Sequence, residues 1–128
     1  MSAANYKAII EKVNAGFEKN NPEVFLDNCT ENVKWTMTGD DTRTGKQSIR
    51  DFVKDMGDFK LEKLSTDKII AEGDSAAAYG EMTMNEKGEK VNYSFCDVYT
   101  FEGEKISELR SFAVKQKAVG KKDKSATA

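Results

Sequence analysis

One carboxylate stands in a row of apolar neighbours. In Val91-Asn92-Tyr93-Ser94-Phe95-Cys96-Asp97-Val98-Tyr99-Thr100-Phe101 the odd positions read Val, Tyr, Phe, Asp, Tyr, Phe. Side chains two apart on a strand share a face, so Asp97 falls in the middle of an aromatic row. If that row faces the interior, the carboxylate loses water and its pKa rises. A partly buried acid of near-neutral pKa donates a hydrogen bond to a carbonyl or enolate, or shuttles a proton. The competing reading is structural: the acid is satisfied by tyrosine or backbone donors, or its face is open to solvent. Tyr93 and Tyr99 share the face and offer either phenolic hydrogen bonds or plain packing.

Other chemistry-bearing groups are fewer. Trp35 and Met37 share a strand face and suit the wall of an apolar pocket or a packed core. Asp40, Asp41 and Arg43 share one loop. An acidic pair there could hold a metal or serve as acid and base, but Gly-Asp-Asp is also ordinary turn chemistry. The chain has no histidine, which excludes Ser-His-Asp, Cys-His and His-ligated metal chemistry within it. Cys29 and Cys96 form no CxxC pair and no zinc spacing. A reduced, cytoplasmic protein is expected, with no metal and no cofactor.

Composition narrows the classes further. The 128 residues carry 20 Lys plus Arg against 22 Asp plus Glu, a net charge of −2. This near-neutral balance lacks the basic footprint of a nucleic-acid binder. No apolar run approaches the roughly 20 residues of a membrane span, and MSAANYKAIIEKV has no secretory pattern. A chain of this length can bury well over half of its unfolded surface without disulfide or metal.

The elements that must position Asp97 follow from periodicity. Tyr6, Ile9, Ile10, Val13 and Phe17 recur at helical spacing, and the helix stops at Asn20 and Asn21. Pro22 opens a second helix through Glu23 to Cys29, capped by Asn21, with Phe25 and Leu26 as anchors. Val33, Trp35 and Met37 alternate as a strand. A third helix starts near Thr44, where Thr44 and Gln47 have capping-box spacing. Its stripe is Ile49, Phe52, Val53 and Met56, and Gly57 ends it. Segments at about 61–72, 76–84, 91–101 and 106–116 read as strands joined by short turns, hence an antiparallel meander. The last strand is ambiguous: Ile106, Arg110, Phe112 and Val114 share one parity, Leu109, Ser111 and Ala113 the other. Apolar character in both rows suggests that one face meets the helices and the other a second subunit. Helices followed by a bent antiparallel sheet make an α+β domain over 1–118, with a disordered tail at 119–128.

Taken in order, these segments resemble the SnoaL-like branch of the nuclear transport factor 2-like superfamily, which includes ketosteroid isomerases and polyketide cyclases. Phe17-Glu18-Lys19-Asn20-Asn21-Pro22-Glu23 looks like the break between the family's first two helices. Glu31-Asn32-Val33-Lys34-Trp35 followed by Gly39 resembles its first strand. Gly45-Lys46-Gln47-Ser48-Ile49-Arg50-Asp51-Phe52 resembles its third helix, and Asp97-Val98-Tyr99-Thr100-Phe101 with Lys105-Ile106 its penultimate hairpin. The fold implied is a cone-shaped α+β barrel: three N-terminal helices on a strongly curved, mainly antiparallel sheet around a deep apolar pocket, commonly in a homodimer.

The resemblance also implies roles and withholds others. The protonated acid of the ketosteroid isomerases lands on Asp97. Their base lands at Met37 or Thr36 and their tyrosine at about Val13, none of which can do that chemistry, so standard steroid isomerisation is not expected. Tyr79, Tyr93 or Tyr99 could replace the phenol, and Asp40 or Asp41 the base. The dehydratases of the superfamily rely on histidine, and the acids and arginine of its epoxide hydrolases find no matching positions. The expectation is a function-unassigned member that binds a small apolar or aromatic molecule. Asp97 is the candidate acid, and Val13, Phe17, Trp35, Met37, Tyr93, Phe95 and Tyr99 line the pocket. Isomerase- or cyclase-type proton transfer is open, as is the alternative of a protein-interaction module with a filled pocket. No nucleic-acid or membrane partner is expected.

Overall fold

The computed structural model describes residues 3–117. The expected tail at 119–128 therefore lies outside the described residues. The elements run α1 (Ala3–Glu18), α2 (Glu23–Asp27), β1 (Cys29–Met37), β2 (Thr42–Thr44), α3 (Lys46–Asp55), β3 (Phe59–Glu72), β4 (Ser75–Glu86), β5 (Glu89–Glu102) and β6 (Lys105–Lys115). The fold is α+β, with one six-stranded curved sheet in the order β2-β1-β6-β5-β4-β3. Strands β3 to β6 form the antiparallel meander, and β1 joins β6 in parallel.

Helix α1 buries Tyr6, Ile10 and Val13 completely or nearly so and keeps Lys7, Glu11 and Lys12 in solvent. That is the stripe of an amphipathic helix lying on a sheet. It ends at Asn20, whose backbone turns left-handed (φ 57°). The Asn20 amide donates to the Leu61 carbonyl at 2.9 Å, and its oxygen accepts the Leu61 N–H at 3.2 Å. This two-way clamp ties the end of α1 to the start of β3. Asn21 in turn accepts the Glu23 N–H at 3.2 Å and starts α2. Gly16 lets α2 come close, since a Cβ there would lie 2.6 Å from the Val24 Cβ.

Two local expectations are corrected. Thr44 does not cap α3, because it is taken by β2, a three-residue strand paired with β1 through Lys34. Gly45 (φ 93°) leads into the helix without a side-chain cap, and Gln47 donates to Asp51 instead. Cys29 belongs to β1 rather than to α2.

The core is packed toward one end of the cone. Tyr6 stacks on Phe101 with centroids 4.0 Å apart, joining the start of α1 to the end of β5. Phe25, Leu26, Val33, Ile49, Tyr99, Ile106 and Leu109 are fully buried around them. Emptying any of the aliphatic positions would cost about 2–5 kcal/mol. At the other end the sheet curls. Strand β3 carries irregularities between Leu61 and Lys63 and between Thr66 and Lys68, and such bulges bend a strand and sharpen its twist. Gly80 permits the curl: a Cβ there would lie 1.9 Å from the Ser65 carbonyl oxygen. No helix among the described residues is long and apolar enough to cross a membrane.

Candidate functional site

The inner face of β5 runs from packed core to open cavity. Phe101 and Tyr99 are buried in the core, Phe95 and Asp97 line a cavity of about 440 Å³, and Tyr93 lies beyond them toward the strand's start. Strand β4 explains where the space comes from. Its inward positions read Ala76, Ala78, Gly80, Met82, Met84: the small residues let α1 and β3 close in, and the methionines face the cavity. The opposite wall comes from helices and β1, with Phe17 of α1, Trp35 and Met37 of β1, and Phe52, Val53 and Met56 of α3 and its end. Trp35 is the hub of this wall, with Phe25 at 5.7 Å, Phe17 at 5.9 Å and Phe52 edge-on at 5.9 Å between centroids. Every methionine after Met1 lines the cavity: Met37, Met56, Met82 and Met84. Methionine is unbranched and polarisable, so a wall of it adapts to ligands of different shape.

Asp97 is the only acid on this wall among the described residues. It is partly buried and lines the cavity, and burial pushes its pKa up to about 7, against the lowering effect of a hydrogen bond with Ser111. Ser111 pairs directly across from Asp97 in the β5–β6 ladder and with Met37 in the β1–β6 ladder. Its hydroxyl oxygen accepts the Trp35 Nε1–H at 2.9 Å. A neutral carboxyl in such a place donates a hydrogen bond; once ionised it only accepts.

The remaining sequence-assigned residues divide by burial. Phe17, Trp35, Met37 and Phe95 line the cavity together with Asp97. Val13 and Tyr99 are instead enclosed in the core, each with no exposure. The Tyr99 hydroxyl makes no hydrogen bond among the described residues, and burial raises its pKa well above the ordinary value. Tyr93 is not on the cavity wall, because its hydroxyl is drawn to Glu86, donating at 2.6 Å. Tyr79 lies on the outer face, 40% exposed. No phenol lines the cavity among the described residues, so none replaces the tyrosine of the isomerases.

Neither loop acid, Asp40 or Asp41, is on the cavity wall, and Asp41 is committed elsewhere. Asp41 accepts the Thr42 N–H at 2.8 Å and holds Arg43 at 2.9 Å, and Arg43 stacks over the Phe52 ring at 4.0 Å. A shallower groove of about 610 Å³ adjoins the cavity along Arg43, Ser48, Asp51 and Asp55, without a buried carboxyl. Cys29 is buried, donates to the Phe25 carbonyl at 3.0 Å, and has its pKa pushed up to about 12 by burial. It is no nucleophile. Cys96 is also free and lies on the outer face.

Sequence reasoning missed Ser111, Met56, Met82 and Met84. The signal for the last two was present: alternation in β4 passes from Ala and Gly to Met along one face.

The comparisons agree on the architecture. A LEH-like epoxide hydrolase from Mycobacterium tuberculosis superposes with a TM-score of 0.76 at 12% identity, over 87% of this chain and 84% of that one. An NTF2-like protein from Burkholderia xenovorans gives 0.75 at 15% identity over 89% and 92%. An NTF2-like protein of unknown function from Cytophaga hutchinsonii gives 0.66 at 19% identity over 84% and 97%. At these identities the likeness is one of fold. No curated protein matches. Residues 10–109 match the SnoaL-like domain, and the chain belongs to that family.

Proposed function

We propose that this protein binds a small apolar or aromatic molecule in the 440 Å³ cavity, with Asp97 as its polar handle. The observation that carries this reading is a lone carboxyl of near-neutral pKa on an otherwise apolar wall, beside open space of ligand size. A filled, inert pocket would have needed Trp35 and the methionines to occupy that volume. They line it instead.

Catalysis within this reading is limited to what one carboxyl can do. Asp97 would donate a hydrogen bond to a ligand carbonyl when neutral and accept one when charged. No second carboxyl and no phenol or imidazole is on the wall among the described residues, and its two lysines are solvent-exposed, so binding with polarisation is favoured over a two-residue isomerisation. The test uses Trp35, the chain's single tryptophan and part of the wall. Aromatic and alicyclic ketones are titrated against its fluorescence from pH 5 to 9, in the parent and in Asp97→Asn. Saturable quenching that weakens above pH 7 in the parent alone supports the reading. Absence of quenching by any of them sinks it. Exchange of ligand α-protons in heavy water tests for catalysis.

A homodimer through the outer sheet face belongs to the same proposal. Tyr79, Phe112 and Val114 are 40, 39 and 68% exposed there, and Tyr79–Cys96–Phe112 lie in one cross-strand row. The free cysteines fit a cytoplasmic setting.

A further inference from the structure

The mouth of the cavity points to the kind of ligand, an inference that rests on the cavity being a ligand site. Among the described residues the charged ones on its wall are three: Asp97 inside, and Lys54 and Lys60. Lys54 lies in the last turn of α3 and Lys60 at the start of β3, with Gly57 and Phe59 of the mouth between them. Both lysines are exposed, and neither forms an ion pair among the described residues. The neighbouring acids Asp51 and Asp55 line the adjoining groove instead. A lysine at a helix C-terminus has a structural explanation in the helix dipole, which covers Lys54. It does not cover Lys60, which is on a strand. Two unpaired cations thus border an apolar cavity in a chain whose net charge is −2.

We propose that the cavity takes an amphipathic organic acid, its apolar body against Trp35 and the methionines, an uncharged carbonyl or hydroxyl on Asp97, and a carboxylate or sulfonate held at the mouth by Lys54 and Lys60. The three contacts differ in kind. The methionine wall tolerates variation in the body, so selectivity falls on the two polar ends. Attraction at the mouth is between exposed charges, hence modest and weakened by salt.

The test uses two probes with the same aromatic body, anilinonaphthalene sulfonate and the uncharged phenylnaphthylamine. Their dissociation constants are read from Trp35 quenching at low salt, and mutual displacement shows whether they share the site. The sulfonate is expected to bind about fivefold or more tightly. That preference should vanish in Lys54→Gln/Lys60→Gln and persist in the charge-matched control Lys63→Gln/Lys68→Gln, which alters β3 lysines off the wall. Equal affinity in the parent, or a preference that survives Lys54→Gln/Lys60→Gln, overturns the organic-acid inference while the ligand site stands. If neither probe reaches Trp35, the inference falls together with the ligand-site reading.

Discussion

Ser111 faces Asp97 directly across the β5–β6 ladder and takes the Trp35 indole hydrogen at 2.9 Å. With the indole occupying one lone pair, the serine's single hydroxyl proton is free to serve the carboxylate, and that bond holds the Asp97 pKa lower than burial alone would set it. Trp35, Ser111 and Asp97, from β1, β6 and β5, thus adjoin along the cavity wall, with Ser111 bonded to the indole and acting on the carboxylate. Ser111→Ala breaks both links. The expected result is a rise of the Asp97 pKa above about 7, seen as a higher midpoint when Trp35 fluorescence is titrated with pH. Leaving the indole N–H unsatisfied should also cost about 1–3 kcal/mol in denaturant unfolding. An unchanged or lower midpoint would show that the serine proton points elsewhere.

Asp97 should also leave a mark on stability against pH. Its folded pKa of about 7 lies above the ordinary value of 3.8, so between those limits the folded state holds more protons than the unfolded chain. Stability therefore falls as pH rises from about 4 to 7 and levels off beyond. At about 1.4 kcal/mol per pH unit the full swing from this group is roughly 4 kcal/mol. Asp97→Asn removes that slope. The variant should melt several degrees above the parent at pH 8, and the gap should close as pH falls toward 4. A variant that melts lower at pH 8 would mark the carboxylate as a satisfied structural partner. Glu23 and Asp41, whose pKa values are lowered by Arg50 and by Thr42 and Arg43, act with the opposite sign and only in the acid range.

How much of this was legible in the chain depends on the range of the interaction. Asp97 stood out because alternation within a single strand is local, and one row of β5 announces its face. Ser111 did not, because its partner is set by register across a hairpin. A shift between Thr100 and Phe101 resets the pairing, so that Ile106 and Leu109, of opposite parity, are both fully buried. The two-row ambiguity of β6 was that irregularity seen without the partner strand. Likewise β2 is short and polar, Thr42-Arg43-Thr44, and carries no apolar alternation to reveal it. The helices were read nearly in full, since the stripe of α1 is a property of one segment. Whether Tyr99 or Phe95 meets the cavity depends on how sharply the sheet curls.

That curl rests on Gly80. Gly80→Ala would set a methyl group 1.9 Å from the Ser65 carbonyl oxygen, with backbone that cannot swing aside. The expected cost is about 3 kcal/mol or more, a fall in Tm of roughly 10 °C, with loss of the Trp35 quenching that reports the cavity. Gly88→Ala is the control. Its turn has open space around it at φ 92°, so only conformational strain of about 1 kcal/mol applies. Equal effects at the two positions would mean that β3 does not bend over Gly80 in solution.

The outer sheet face allows a last expectation. Val114 on β6 is 68% exposed and Phe112, two residues before it, 39%. Both have the strand parity opposite to Ser111 and Ala113, Val114 clear of the cavity wall and Phe112 at its edge. Apolar side chains clustered on one face of a sheet are a cost unless something covers them. If a second copy does, Phe112→Ser/Val114→Lys should convert a dimer to a monomer in sedimentation equilibrium. Neither residue belongs to the buried core, so the variant should keep its fold. The Cys96 thiol, paired across from Phe112, should then react faster with a thiol reagent, because the neighbouring chain no longer shields it. A parent that sediments as a monomer at all concentrations, with Cys96 already fully reactive, would rule out a second copy as the cover for this face.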